Sequence, residues 1–163
     1  QRLLALKGGV YRDCGDVLPA EFSPGSREWA GSAIVDDSVA KVTLYFTAAG
    51  RRGEKRLSYE QRLFETTAPL VSRKAKPIGF GEWTAPVESV VADGEDYVLT
   101  ALEAGEAGHI KAFRDPAYFR DPIDGAEYLL FAASLKKSKS RWNGAVGIAR
   151  REGASWRLHP PLL

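Results

Sequence analysis

Two short stretches of the chain carry residue types that could do chemistry. In Ala112-Phe113-Arg114-Asp115-Pro116-Ala117-Tyr118-Phe119 a guanidinium and a carboxylate stand side by side directly before a proline. An ionised Asp only accepts hydrogen bonds and an Arg only donates them. A fixed Arg114-Asp115 pair could therefore grip vicinal hydroxyls, the carboxylate accepting and the guanidinium donating. Pro116 is expected to hold Asp115 in extended backbone at a loop-to-strand junction. The plainer alternative is a surface ion pair. The second stretch is Arg27-Glu28-Trp29-Ala30-Gly31-Ser32-Ala33, an aromatic followed by three small residues opening a strand. An indole face packs against the apolar face of a sugar ring, and small residues let a ligand approach the backbone closely. Here the alternative is a core Trp beside a Gly-Ser turn.

The elements that must position these residues read as strands. Gly31 to Val35 and Ala40 to Thr47 flank Asp36-Asp37 as a hairpin, with polar and apolar residues alternating from Lys41 to Tyr45. Ser58 to Thr66 follows the Gly50-to-Gly53 loop, and Glu88 to Ala92 and Asp96 to Ala101 flank Asp93-Gly94 as a further hairpin. Ala117 to Phe119 and Glu127 to Ser134 enclose Asp121-Pro122-Ile123-Asp124-Gly125, and Gly144 to Arg150 precedes Trp156 to Leu158. Gly15 to Arg27, Leu70 to Pro86 and Leu102 to Ala112 are rich in Gly, Pro and charge and read as loops long enough to line a site. With no long helical period, the pattern predicts an all-β sandwich, barrel or propeller and does not choose among them.

Composition narrows the class of function. The 163 residues are 44% hydrophobic and 27% charged, ordinary for a globular domain or part of one. Net charge is +2, from 23 basic and 21 acidic residues, so no nucleic acid partner is expected. No apolar run is long enough to cross a bilayer, and no membrane partner is expected. The basic runs Arg51, Arg52, Lys55, Arg56 and Lys136, Lys137, Lys139, Arg141 read as solvated loops. Cys14 is the single cysteine, so no internal disulfide can form. His109 and His159 have no His or Cys at ligand spacing and read as surface or loop residues, so no metal or cofactor is expected. The sequence contains no methionine and opens on an apolar run, and it closes on Leu162-Leu163; both ends are expected to be truncations.

Taken together and in their order along the chain, Trp29 before Arg114-Asp115, the two motifs resemble the levansucrase and inulosucrase family of bacterial fructosyltransferases, glycoside hydrolase family 68. In that family a Glu-Trp-Ser-Gly-Ser-Ala motif precedes a Phe-Arg-Asp-Pro motif. Val42 to Ala49, Gln61 to Leu63, Asp121 to Phe131 and Asn143 to Ala149 are similar to the family's strands, so the resemblance covers about Gly9 to Leu163. It implies a five-bladed β-propeller with a central sugar pocket, residues 1–163 being a partial catalytic domain from the middle blades. It also implies sucrose and fructan as substrates and an extracellular or periplasmic location. Asp115 would be the transition-state stabiliser, and Trp29, Ala30, Arg114 and Asp115 would line the substrate site.

The same resemblance marks what is missing. The family's nucleophilic Asp lies in a Trp-Asp motif and its acid/base Glu in a Glu-Arg-Pro motif, and neither motif occurs here. Retaining transfer needs two carboxyl groups about 5 Å apart, so the chain alone is not expected to turn over sucrose. Ala30 stands where the family usually has Ser, and Ala132 where many members have Glu, which puts transfer as against hydrolysis in question. Two other readings stay open: an invertase or fructanase, sharing propeller and Phe-Arg-Asp-Pro, and a non-catalytic sugar-binding propeller or inactive relic. A Trp-Asp and a Glu-Arg-Pro motif in flanking sequence would select an enzyme.

Overall fold

The structure, a computed structural model, describes residues 1–73 and 76–162. Thirteen strands and no helix occur among the described residues. A hairpin of β1 (Arg2–Lys7) and β2 (Val10–Asp16) comes first, although neither was expected as a strand. Two larger sheets follow. One has the order β3 (Arg27–Asp36), β4 (Lys41–Ala49), β5 (Gln61–Arg73), β6 (Lys76–Phe80), with β7 (Val87–Val90) also paired to β5. After the two-residue strands β8 (Gly105–Glu106) and β9 (His109–Ile110), the other sheet is a meander of β10 (Phe113–Arg120), β11 (Glu127–Ser134), β12 (Gly144–Glu152) and β13 (Ser155–Leu162). All pairings are antiparallel.

The sheets pack face to face with their first strands, β3 and β10, against each other, the relation between adjacent propeller blades. Side-chain alternation explains both faces of the first sheet. Val42, Leu44, Phe46 and Ala48 of β4 join Phe64, Ala68, Leu18 and Trp83 on the far side. Tyr45 and Leu63 face the second sheet, where Tyr97, Phe113, Leu129 and Phe131 complete the inter-sheet core. β4 is thus buried on both faces from Leu44 onward, which is why apolar residues run together in Leu44-Tyr45-Phe46 and Ala48-Ala49. The polar residues between the sheets are paired: Glu65 accepts from Arg151 Nη1 at 3.1 Å and from Trp156 Nε1 at 2.8 Å. Tyr45 stacks on Tyr118 with ring centroids 5.7 Å apart.

Three sequence expectations fail here. Leu70 to Pro86 is not a loop throughout, because β5 runs on to Arg73 and pairs with β6; Lys74 and Ala75 of that stretch lie outside the described residues. Prolines and glycines read as punctuation, yet Pro77 sits on an edge strand, where a missing N–H is tolerated. The predicted hairpin of Glu88–Ala92 with Asp96–Ala101 does not form. Asp93 instead turns the chain, its Oδ1 accepting from the backbone N–H groups of Glu95, Asp96 and Tyr97. Thr100 then bonds β5 with its hydroxyl, accepting from Gln61 N and donating to Gln61 O at 2.9 Å each. A side chain supplies the rung that a strand backbone was expected to make. His159 lies within β13 and not in a loop, and its carbonyl accepts the Tyr97 hydroxyl at 2.7 Å. β13, which closes the second sheet, carries Pro160 and Pro161 in succession.

Candidate functional site

Both chemically distinctive motifs sit on the abutting first strands, and each contains a bulge. In β3 the register slips between Trp29 and Gly31, so Ala30 is the extra residue and stands exposed. Gly31 makes the slip possible: a Cβ there would lie 1.9 Å from the Tyr45 carbonyl oxygen. The small residue expected to admit a ligand therefore admits the neighbouring strand. Ser32 is also committed to structure, its hydroxyl accepting from Tyr118 N at 2.8 Å and tying β3 to β10.

In β10 the register slips between Arg114 and Ala117, and Asp115 has φ 59°. The expectation of extended backbone at Asp115 is corrected. A bulge leaves its extra residue outside the ladder, and the left-handed region is tolerated by Asp better than by most residues. The Asp115 N–H, freed from the ladder, donates to Thr47 Oγ1 at 2.8 Å. Thr47 Oγ1 in turn donates to the Ala30 carbonyl at 3.2 Å. One hydroxyl, with Thr47 at 0% exposure, thereby joins the two bulges.

Arg114 is held from the other side. Its Nη1 donates to Gln61 Oε1 at 3.1 Å, and the same oxygen accepts from Phe113 N at 3.2 Å. Gln61 is buried, and its Nε2 donates to the carbonyls of Tyr59 and Lys111 at 2.8 and 2.6 Å. Lys111 is itself clipped to the β11–β12 connection through Asn143 Oδ1 at 2.7 Å. The Arg114 guanidinium lies 5.8 Å from the centre of the Trp29 ring, and its Nε is 3.5 Å from Asp115 Oδ2. The Asp115 side chain keeps 42% exposure, enough to meet a ligand.

Trp29, Ala30, Arg114 and Asp115 thus come together at one end of two adjacent inner strands, with a part-exposed carboxylate, a planar donor and an aromatic ring. Such a set can bind the hydroxyls and one face of a sugar ring. The structure adds Thr47 and Gln61, which the motifs did not reveal. Their traces in sequence are slight: a Thr that continues the Thr43 and Tyr45 face of β4, and a Gln at a strand start. Among the described residues no group of three or more His, Cys, Asp or Glu side chains is placed to hold a metal ion. His109 instead packs on Trp142 with ring centroids 5.2 Å apart.

Beside Arg27, whose Nη2 is 3.7 Å away, Glu54 accepts from the hydroxyls of Ser26 at 2.6 Å and Ser58 at 2.7 Å. These bonds, followed by those from the backbone N–H groups of Arg51 and Ser58, hold its carboxyl at a pKa of about 2 against an ordinary 4.5. A depressed folded-state value stabilises above the unfolded value and is lost as pH falls below it. We expect thermal melts to lose stability as pH falls from about 4.5 toward 2, and Glu54→Gln to flatten that part of the profile. An unchanged acid profile in Glu54→Gln would show that the loop is not held by this carboxylate.

Comparison with known proteins gives a consistent result. A profile of the family described as Levansucrase/Invertase, glycoside hydrolase family 68, matches residues 4–152. Levansucrase LscA of Pseudomonas savastanoi pv. glycinea is 22% identical over 91% of this chain. An inulosucrase from Halalkalicoccus jeotgali, solved with kestose bound, is 33% identical with a TM-score of 0.78 over 93% of this chain and 39% of its own. A levansucrase variant of B. megaterium is 18% identical, with a TM-score of 0.74 over 99% of this chain and 47% of its own. A beta-fructofuranosidase from Microbacterium saccharophilum K-1 has a TM-score of 0.68 at 20% identity, covering 95% of this chain and 36% of its own. The chain spans 39% of the length of the Pseudomonas relative.

Proposed function

We propose, from the premise that this chain belongs to the levansucrase/invertase family, glycoside hydrolase family 68, that it supplies the fructosyl-holding part of the active site of a sucrose-cleaving enzyme. Its fold is accordingly part of a five-bladed β-propeller. The observation that carries the functional reading is the Arg114-Asp115 pair, with Asp115 lifted out of the ladder by a bulge and Arg114 set beside Trp29.

In this reading an Asp nucleophile attacks the anomeric carbon of the fructosyl unit while a Glu protonates the departing glucosyl oxygen, leaving a covalent fructosyl-enzyme. Both groups are proposed to come from parts of the protein other than this chain, which contains neither family motif. Asp115 accepts hydrogen bonds from fructosyl hydroxyls, and these bonds strengthen as positive charge develops on the ring. Arg114 donates to a sugar hydroxyl through its planar fork. Trp29 forms a wall of the pocket. The fructosyl unit then passes to water or to a growing fructan.

Ala30 bears on that last choice. It is exposed on the bulge beside Asp115's clasp and offers no hydroxyl to an acceptor, which favours water over a sugar. The test is to assay the full-length protein on sucrose for glucose and free fructose. Equal release means hydrolysis, and glucose in excess means transfer. No glucose above a heat-killed control would remove the enzyme reading and leave a sugar-binding module. Ala30→Ser is expected to raise the transferred share about two- to five-fold by restoring one polar contact.

A further inference from the structure

We propose that Thr47 is a positioning residue for Asp115, an inference that rests on the reading of Asp115 as the fructosyl-holding carboxylate. Thr47 touches no reacting atom. It lies on β4, in the same sheet as Ala30 and on the face turned to the sheet that carries Asp115, and is fully buried. Its single hydroxyl proton goes to the Ala30 carbonyl, so the lone pairs of Oγ1 face the Asp115 N–H. The oxygen thus fixes both bulges at once, across two sheets.

Three features make this more than ordinary polar satisfaction. The two bonded groups both belong to bulged positions, where the ladder offers no partner. Asp115 is held at φ 59°, a conformation that its backbone would leave if the N–H lost its acceptor. Thr is also β-branched and stiff about χ1, so its hydroxyl direction is set by β4 and not by the groups it meets. Among the described residues the Asp115 side chain has one ion-pair partner, Arg114 at 3.5 Å. The carboxylate is therefore aimed through its backbone, and the backbone is aimed by Thr47.

The test uses Thr47→Val, which keeps the shape and removes the oxygen, and Thr47→Ser, which keeps the oxygen, in the full-length protein. For Thr47→Val we expect kcat on sucrose to fall about ten-fold or more with KM within about three-fold, since a displaced carboxylate costs more in the transition state than in the ground state. Thr47→Ser is expected to recover kcat to within about three-fold of the parent. A role limited to stability would lower the melting temperature and leave kcat per folded molecule unchanged, and that result overturns the proposal. Independently of turnover, the Asp115 amide is expected to exchange its hydrogen about ten-fold faster in Thr47→Val and not in Thr47→Ser. Unchanged exchange at Asp115 also overturns the proposal, whatever the substrate. If Asp115→Asn leaves turnover intact while the exchange result holds, the reading of Asp115 fails and the clasp stands. If Asp115→Asn abolishes turnover and Thr47→Val does not alter it, only the positioning role fails.

Discussion

Asp115→Asn in the full-length protein is expected to lower kcat on sucrose by at least about two orders of magnitude, equivalent to about 3 kcal/mol of transition-state stabilisation, with a much smaller change in KM. The substitution keeps the shape of the side chain and the backbone bulge, so the clasp through the Asp115 N–H is untouched. What it removes is the negative charge and half of the acceptor capacity. Ground-state sucrose carries no charge at the fructosyl ring, so binding loses only a neutral-strength bond. The oxocarbenium-like transition state loses an ionic one, and the loss therefore appears in kcat. Arg114→Lys is expected to give a milder form of the same defect, because an ammonium keeps the charge and loses the fork that spans Gln61 and the ligand side. Steady-state kinetics decide the matter. A near-parental rate for Asp115→Asn would make Asp115 an ion-pair partner of Arg114 and nothing more.

Gly31→Ala is expected to be the severest small substitution for stability, costing about 3 kcal/mol or more. The added Cβ would meet three backbone atoms of β4: the Tyr45 oxygen at 1.9 Å, and the Tyr45 carbonyl carbon and Phe46 Cα at 2.8 Å. No rotamer change can relieve a clash with backbone, so β3 must separate from β4 or move its bulge. Either response carries Ala30 away from Thr47, and the defect in stability should be accompanied by a defect in activity. Denaturant titration of the full-length protein measures the first effect. A midpoint within error of the parent would show that the two strands can part without cost.

Hairpins and site differ in how far they could be read ahead of the structure, and the reason is physical. The β3–β4 and β10–β11 pairs were legible because their apolar residues alternate or run together and their turns carry Asp36-Asp37 and Asp121 to Gly125, so that local chemistry and global packing agree. The end of β5 and β6 were hidden by Pro69, Pro77 and Gly79, which local rules treat as breakers but edge pairing tolerates. Asp96 to Ala101 looked like a strand because Tyr97, Val98 and Leu99 have strand character. Asp93 and Thr100 override them with side-chain bonds, an effect invisible to periodicity. Trp29, Arg114 and Asp115 stood out because their chemistry is unusual for their surroundings. Thr47 and Gln61 did not, since their importance lies in which distant backbone groups they meet.

The pair Pro160-Pro161 in β13 bears on how the molecule behaves among copies of itself. An outermost strand presents a row of N–H and C=O groups to solvent, and such a row can recruit another extended chain. Two successive residues without N–H break that row just before its last residue, Leu162, which is 46% exposed and would otherwise reward stacking. The interruption costs the blade little, because β13 bulges there, His159 to Leu162 standing opposite Ile148 to Val146 with one residue extra, and the Tyr97 hydroxyl bonds His159 O and Ile148 N. Replacing both prolines with Val or Thr would complete the hydrogen-bonding edge, and the molecule would then be more prone to fibrillar self-association at high concentration.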